Sequence, residues 1–551
     1  MSRYKKRIVT YLFMVVLFVP LWGRDCLHIF TSKGVYETCE DLGFKCVAFD
    51  DSKMLISDRS HTAYVEIIGP TDSVVWREKY RMSGGMCDGH AYVGNDWKPG
   101  EYRMFVYTRG SLGRGDTVVY PKRLLVVREL PEVPDYLSAA KERMQYIDIR
   151  DTIRNEGLIA MVTLDSTEYH TRSKVKVTVK VTDADGNPVR AVVVMSVADA
   201  LYSYPPADVN IESQAYGILH DTVSASAPGF KPFLSDAAVS GHLSSGRKKN
   251  TMPLDGQYIN VFDDMAEKGS LNVINTRTDG YFEISPDMAT SLGRTLLLKP
   301  LVNEDMKPRL EFDRPFSEIS EIRNKAEERI YPVLRRTGGN ESTDTMDYSE
   351  RHTVKLNEII VKGKGSRFPK RNKVMGYLDS LALNLETAWI CGCHGGYGST
   401  YLNDYIEGYT HHPGGSGTPH KIEKPKRGVT YELIKYSGPT DKDYVVDIQY
   451  IEYKGPRYSE EELLRMNGLW KTEGYYTRHR FQLPSDEELI PGVEDFRNTL
   501  LWLPRAQTDE NGEFTVEFPT SDIKSTFRIT GFILMPDIRD AKTINEYFRV
   551  K

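Results

Sequence analysis

The clearest hydrophobic pattern in this chain is a strict alternation of apolar and polar residues that begins at Lys174. Valine occupies every second position, and lysine or threonine lies between: Val175, Val177, Val179 and Val181 alternate with Lys174, Lys176, Thr178 and Lys180. A period of two residues places the valines on one face, which predicts a half-buried β-strand. Residues 183–188, Asp-Ala-Asp-Gly-Asn-Pro, then predict a tight reversal rather than a cation-binding loop.

The run that follows this reversal, from Val189 to Ala198, is almost entirely apolar. Such a strand is expected to be covered on both faces, because a half-exposed strand would carry polar residues at alternate positions. A hairpin alone cannot bury so much valine. The pattern therefore predicts a second sheet packed on the first, which makes a β-sandwich.

Short apolar runs between turn residues recur along the chain and predict further strands. They are Thr62 to Gly69, Tyr102 to Thr108, Asn498 to Pro504, Gly512 to Phe518 and Thr526 to Met535. Residues 129–157 predict a linker with one short helix, and residues 203–257, rich in Ser, Pro, Gly and Ala, predict an inserted loop. An amphipathic helix is predicted over residues 315–336, stopped by Pro332.

Length and charge narrow the class of protein. A chain of 551 residues is too long for a single core and predicts three or four domains. The net charge of -5 gives no general attraction to nucleic acid, so no nucleic-acid partner is expected. The predicted fold class is mostly β, with short helices confined to linkers.

The N-terminus has the pattern of an export signal. Lys5, Lys6 and Arg7 precede an apolar run over residues 8–22, and Gly23 follows as a small residue suited to cleavage. A retained anchor helix is the alternative. Lipidation at Cys26 is a second alternative, although Asp25 stands where a lipoprotein signal has a small residue.

Cysteine usage agrees with export to an oxidising compartment. Four of the six cysteines lie near the N-terminus and are candidates for two disulfides: Cys26, Cys39, Cys46 and Cys87. The spacing leaves open which pairs form.

Several motifs resemble macroglobulin-like domains of exported Bacteroidetes proteins. In the first hundred residues these are Ser32 to Tyr36 with Glu40, Tyr64 to Ile68 and Gly100 to Thr108. Cys39 stands where that family usually has glycine, which suggests a turn held by a disulfide. Further on, residues 164–169, 183–188, 196–199 and 275–284 resemble a second macroglobulin-like domain.

Two later segments carry further resemblances. Leu356 to Gly363 is similar to the opening strand of TonB-dependent receptor plug domains. Asp495 to Arg497, Thr499 to Trp502 and Thr508 to Val516 resemble a sandwich segment of the alpha-2-macroglobulin domain.

The resemblances imply a string of immunoglobulin-like or macroglobulin-like β-sandwiches with a plug-like α/β segment. The predicted divisions are a signal peptide (1–23), sandwich 1 (24–128), a linker (129–157), sandwich 2 (158–303, with an insertion at about 203–257), a helical or disordered linker (304–352), a plug-like segment (353–470) and a C-terminal β segment (471–551).

One cluster has residues suited to metal chemistry: Cys391, Cys393, His394, His411 and His412. Thiolate and imidazole are ligands that zinc and copper prefer. The alternatives are oxidised cysteines with surface histidines, or a redox pair. No nucleophile, phosphate-binding or zinc-protease motif is present, and neither Cys391 nor Cys393 is followed by the Glu-Gln of a macroglobulin thioester.

These observations predict a non-enzymatic, exported protein without an obligatory cofactor. It would act as a binding or assembly scaffold in the periplasm, at the outer membrane or at the cell surface. The expected partners are envelope proteins or outer-membrane receptor components, with peripheral association with the membrane. The alternatives are an accessory component of a TonB-linked uptake system, and a metal-binding protein or metalloenzyme centred on Cys391, Cys393 and His394.

Overall fold

The structure is a computed structural model. It describes residues 24–112, 118–149, 158–204, 210–220, 235–247, 250–264, 271–331, 333–336, 377–378, 381, 389–391, 401–403, 422–423, 428–436, 445–452, 459–477, 481–484 and 492–551. The predicted signal peptide lies outside the described residues. Within them, no helix is long and apolar enough to cross a membrane. The fold is mostly β, as the alternating patterns predict.

The first sandwich is formed by residues 25–127. Its strands are β1 (Asp25–Thr31), β2 (Val35–Glu37), β3 (Glu40–Asp50), β4 (Thr62–Ile68), β5 (Val74–Arg81), β6 (Met86–Val93), β7 (Gly100–Tyr107), β8 (Val118–Val119) and β9 (Lys122–Val127). One sheet has the order β1-β3-β6 and the other β2-β9-β7-β4-β5. Apolar side chains from both sheets, such as Phe44 and Val65, form one buried core. The predicted strands at Thr62 and Tyr102 are confirmed as β4 and β7.

A helix and a short strand follow the first sandwich, α1 (Val133–Arg143) and β10 (Tyr146–Ile149). The second sandwich then begins with β11 (Leu158–Leu164), β12 (Glu168–Tyr169), β13 (Lys174–Asp183) and β14 (Val192–Asp199). The four alternating valines of β13 are fully buried, and the lysines between them are exposed. The predicted reversal is confirmed, because Asp183 accepts bonds from the Asp185 and Asn187 amides and Gly186 has φ 84°.

A third sandwich is inserted after β14. Its strands are β15 (Val239–Arg247), β16 (Asn250–Pro253), β17 (Tyr258–Asp263), β18 (Val273–Asn275), β19 (Tyr281–Ile284), β20 (Thr295–Pro300) and β21 (Pro308–Phe312). The helices are α2 (Ile211–His220), before the first of these strands, and α3 (Pro286–Leu292), between β19 and β20. The loop predicted over residues 203–257 is therefore corrected where the structure describes it, because α2, β15 and β16 lie within that range.

The rest of the insertion is made of mostly short elements. It contains α4 (Pro315–Arg323), β22 (Glu327–Glu328), β23 (Val333–Arg336), β24 (Trp389–Cys391), β25 (Tyr401–Asn403), β26 (Ile422–Glu423), β27 (Thr430–Tyr436), β28 (Val445–Glu452), α5 (Glu460–Asn467) and β29 (Trp470–Glu473). Strands β24 to β28 form a separate sheet, and β29 joins the third sandwich by pairing with β20. The helix predicted over residues 315–336 is wrong beyond Arg323, where β22 and β23 pair with β8 and β10.

The second sandwich is completed only at the C-terminus, by β30 (Thr499–Gln507), β31 (Glu513–Pro519), β32 (Thr526–Leu534) and β33 (Lys542–Val550). Its sheets have the orders β11-β13-β31 and β12-β33-β32-β14-β30. The predicted division into a sandwich over 158–303 and a separate C-terminal segment over 471–551 is therefore corrected. The valine face of β13 is covered by C-terminal strands, in a core that includes Val177, Leu500 and Phe527.

The all-apolar strand β14 is covered on both faces, as its sequence predicts. Val193, Met195 and Val197 point into the second sandwich. Val194 points the other way and packs with Val47 and Phe49 of the first sandwich. The outer faces of two sheets thus form a continuous apolar interface between the first and second sandwiches.

Candidate functional site

A buried polar network lies at the junction of the first and second sandwiches. The Lys33 ammonium donates to Glu40 Oε2 at 2.7 Å and to Asn498 Oδ1 at 2.8 Å. Asn498 Nδ2 donates to Glu40 Oε1 at 2.7 Å, which closes the network on itself. The Lys33 side chain is only 3 % exposed, so its charge depends on these partners. Two of the predicted macroglobulin-like segments meet here, although 465 residues separate Lys33 from Asn498.

The loop that carries Lys33 is held by its own motif residues. The Tyr36 hydroxyl accepts the Lys33 backbone amide at 3.2 Å and is 3.0 Å from Ser32 Oγ. Burial raises the pKa of Tyr36, so the phenol stays protonated. Cys39 has φ 69°, a left-handed conformation that favours glycine, which gives a physical reason for the glycine that the resembling family has at this position.

A third motif segment, at the end of β14, contacts the same loop. Lys33 Nζ lies 4.5 Å from the centre of the Tyr202 ring, a distance at which a cation is attracted to the aromatic face. The Gly34 amide donates to the Tyr202 carbonyl at 2.9 Å. Asp199 accepts from the Leu201 amide at 3.0 Å and begins a short 3-10 turn, so its carboxylate has a structural role at the end of the strand.

Glycines at the junction allow the two sandwiches to approach closely. A Cβ on Gly34 would lie 2.1 Å from the Tyr204 carbonyl oxygen, and one on Gly43 would lie 2.8 Å from the Trp502 indole nitrogen. Trp502 also stacks on Phe30 of the first sandwich at 5.8 Å between ring centres. Close backbone approach and aromatic stacking therefore make this junction a fixed contact.

A cavity of about 300 Å³ opens beside the buried network. Its walls come from the loop and strands of the first sandwich and from the segments around residues 481 and 497. Aromatic side chains of Phe481, Phe496 and Trp502 line it together with polar groups that include Lys33 and Arg497. A smaller cavity of about 150 Å³, lined by His28, Asp199 and Arg528, is also bordered by Lys33.

Arg497 presents an unusual arrangement at the larger cavity. Its Nε and Nη2 both donate to the Asp495 carboxylate, at 2.9 Å and 2.7 Å to the nearer oxygens. Its remaining nitrogen, Nη1, is buried and has no hydrogen-bond partner among the residues that the structure describes. The bidentate contact fixes the guanidinium and balances its charge with the Asp495 carboxylate.

A second buried cation of the interface was missed by sequence reasoning. Lys45, on β3, is fully buried, and its ammonium lies 3.8 Å from Asp88 Oδ1. Burial lowers the pKa of Lys45 to about 8, partly opposed by Asp88. The sequence does contain a sign of this buried cation, because Lys45 is the single charged residue in the apolar run from Leu42 to Phe49.

Most of the predicted metal cluster lies outside the described residues. Cys391 ends β24, where it pairs with Tyr401 of β25 and Ile422 of β26. The other four candidates, Cys393, His394, His411 and His412, are not among the described positions. Within the described part of the chain, no group of three or more His, Cys, Asp or Glu side chains is placed to hold a metal ion.

The four N-terminal cysteines have different environments, and all are free thiols in this structure. Cys46 and Cys87 are buried and directly opposite each other on β3 and β6. Cys26 is buried in a different apolar cluster, at the interface, while Cys39 is exposed at its turn. The structure thus places one candidate pair in register for a disulfide.

Comparisons with known proteins identify no family. No family model matches the chain, and no curated protein matches it. Among solved structures, the chain is similar to trypsin-activated alpha-2-macroglobulin from Escherichia coli (9% identity, 96% of this chain and 41% of that chain, TM-score 0.25) and to methylamine-reacted Salmonella alpha-2-macroglobulin (8% identity, 96% and 40%, TM-score 0.25). It is also similar to the Escherichia coli adhesin FdeC (12% identity, 51% and 61%, TM-score 0.15).

The chain spans about two fifths of the length of these macroglobulins. The TM-scores are low, so the β-sandwich architecture rests on the strand pairing and the buried cores described above.

Proposed function

We propose that this protein is an exported, non-enzymatic scaffold of macroglobulin-like type that binds or assembles with other components of the cell envelope. The observation that carries the proposal is the junction around Lys33. Three motif-bearing segments, distant in sequence, close on one buried network that fixes the first sandwich to the second. No catalytic role is needed to explain these residues, since each of them is used in joining the first sandwich to the second.

Cleavage after Gly23, rather than after Asp25, is supported by the contacts of Asp25 in the fold. Its buried carboxylate accepts from Ser57 Oγ at 2.6 Å and from Ser60 Oγ at 3.1 Å, and it forms an ion pair with Arg59 at 2.5 Å. Lipidation of Cys26 would require cleavage after Asp25, and these donors would then lose their acceptor. N-terminal sequencing of the protein from cells should therefore begin at Arg24, and a lipid-modified Cys26 would contradict this part of the proposal.

The binding role is tested by co-purification from the native envelope followed by mass spectrometry. We expect reproducible recovery of an envelope protein, and recovery of nothing beyond background would count against a scaffold. A receptor barrel among the recovered proteins would favour the alternative of a TonB-linked accessory component. The plug-like motif at Leu356 to Gly363, which motivates that alternative, lies outside the described residues.

The absence of catalysis is tested with the purified protein. We expect no hydrolytic or thiol-redox turnover, and turnover that is abolished by Cys391→Ala would overturn the proposal. Elemental analysis of reduced, tag-free protein tests the metal alternative separately. Stoichiometric zinc or copper that is lost in a Cys391→Ala variant would support a metal site.

A further inference from the structure

We propose that the 300 Å³ cavity beside Lys33 binds a neutral carbohydrate. The inference rests on the proposed binding role of the protein and names the chemistry of one ligand. It is carried by the composition of the cavity walls, which combine exposed aromatic rings with hydrogen-bonding groups of both kinds.

The cavity has the size and position expected of a ligand site. Its volume lies at the lower end of the range of about 300–1,000 Å³ found for small-molecule pockets. It is lined by residues from four parts of the chain, within 32–43, 89–90, 481–482 and 496–502. Pockets between modules are common binding sites because neither module alone has to provide the whole surface.

Charge pairing in the walls argues against an anionic ligand. Lys33 is paired with Glu40, and Arg497 is paired with Asp495, so neither cation is left to attract an anion. The remaining charge among the lining residues is the exposed carboxylate of Asp41, which repels an anion. An uncharged ligand is therefore favoured over an anionic one.

Hydrogen-bonding capacity argues against a purely apolar ligand. An apolar molecule would displace water from the exposed side chains of Asp41 and Gln482 and would replace none of its hydrogen bonds. The Asp41 carboxylate accepts hydrogen bonds, and the Gln482 amide both donates and accepts them, so the ligand needs groups of both kinds.

A sugar satisfies both requirements at once. Each hydroxyl group donates one hydrogen bond and accepts others, so neighbouring hydroxyls can serve the Asp41 carboxylate and the Gln482 amide together. The aliphatic C–H faces of the ring can pack on aromatic side chains. Phe481 and Phe496 are 39% and 46% exposed, and Trp502 supplies a third ring to the same cavity.

The test is a binding titration of the full-length exported protein. The probes are neutral oligosaccharides (cellobiose, maltose, xylobiose, mannobiose, chitobiose and galactobiose, each to 20 mM), followed by calorimetry and tryptophan fluorescence. We expect saturable binding of at least one probe, and a loss of affinity of tenfold or more in Phe496→Ala. Failure of all six to bind would overturn the carbohydrate assignment.

Matched variants separate a site from a general surface effect. Tyr258→Ala removes an exposed aromatic ring from the third sandwich and should leave the affinity unchanged. Phe496→Leu retains apolar bulk without an aromatic face, so it controls for loss of folding and should still weaken binding. Equal binding by the wild type and both Phe496 variants would overturn the site even if a sugar binds elsewhere.

The carbohydrate assignment and the scaffold proposal can fail independently, because different experiments test them. Envelope co-purification reports protein partners and does not depend on a sugar in this cavity. Recovery of a protein partner with no carbohydrate binding would refute the ligand assignment alone. Binding of a galacturonic acid dimer in preference to every neutral probe would contradict the charge argument.

Discussion

Replacing Lys33 with methionine is the sharpest perturbation of the junction between the first and second sandwiches. The variant keeps the apolar stem and removes an ammonium that bonds both Glu40 and Asn498. Removing one member of a buried ion pair typically costs about 3–5 kcal/mol, because the other charge stays buried without a partner. Glu40 retains 23 % exposure of its side chain, so water recovers part of this cost.

These contributions set the expected loss of stability. We expect Lys33→Met to lower the free energy of unfolding by about 2–3 kcal/mol, with loss of the Tyr202 contact included. The matched control is Lys180→Met, which removes a 2.8 Å ion pair with Glu513 at an exposed site. That change should leave the free energy of unfolding nearly unchanged, because an exposed ion pair contributes little.

The assay is urea unfolding followed by circular dichroism and by tryptophan fluorescence, compared in the transition that reports the first two sandwiches. A double-mutant cycle with Glu40→Gln isolates the interaction, and a coupling of about 1 kcal/mol or more is expected. The reasoning is refuted if Lys33→Met costs no more than Lys180→Met, or if the effects of Lys33→Met and Glu40→Gln are additive.

Three further changes probe other parts of the structure. Burial raises the pKa of Glu78 from 4.5 to about 7, partly opposed by its ion pair with Arg294, so the stability that its neutral form provides is lost as pH rises between these values. The melting temperature of the wild type should therefore fall more over that range than the melting temperature of Glu78→Gln. Equal falls in the two proteins would contradict the raised pKa. Cys46 and Cys87, which lie directly opposite each other, should form a disulfide in the exported protein, and peptide mass spectrometry without reduction would detect it. Two free thiols at these positions would contradict the prediction. Gly34→Ala should destabilise by about 1–3 kcal/mol because its Cβ would clash with Tyr204, and an unchanged urea midpoint would show that the contact relaxes.

Local sequence patterns predicted where the strands lie, but they did not predict which strands pack together. The alternation in β13 placed four valines in a core, and the all-apolar β14 correctly required cover on both faces. Neither pattern could show that the cover comes from residues 499–551, because periodicity records which face is buried and carries no information about what buries it. The insertion of a whole sandwich between β14 and β30 therefore stayed hidden.

The junction was predictable only in its parts. The resemblances singled out Lys33, Tyr36 and Glu40 in one motif and Trp502 in another. Their contact could not be inferred, because hydrogen bonds such as Lys33 to Asn498 join residues with no sequence pattern in common. The cavity follows from the same contact, so it too required the tertiary structure.

Closure of the second sandwich by C-terminal strands is the central structural claim, and a cross-link tests it directly. Thr178 and Thr515 are directly opposite on β13 and β31, with their hydroxyl oxygens 3.2 Å apart. A Thr178→Cys/Thr515→Cys variant should form a disulfide, seen as a linked peptide by mass spectrometry without reduction. Thr163→Cys/Thr515→Cys is the control, since its sites lie two strands apart, about 9.5 Å, and should not link. A linked Thr178–Thr515 peptide and an unlinked control are predicted; no link between positions 178 and 515 would contradict the account.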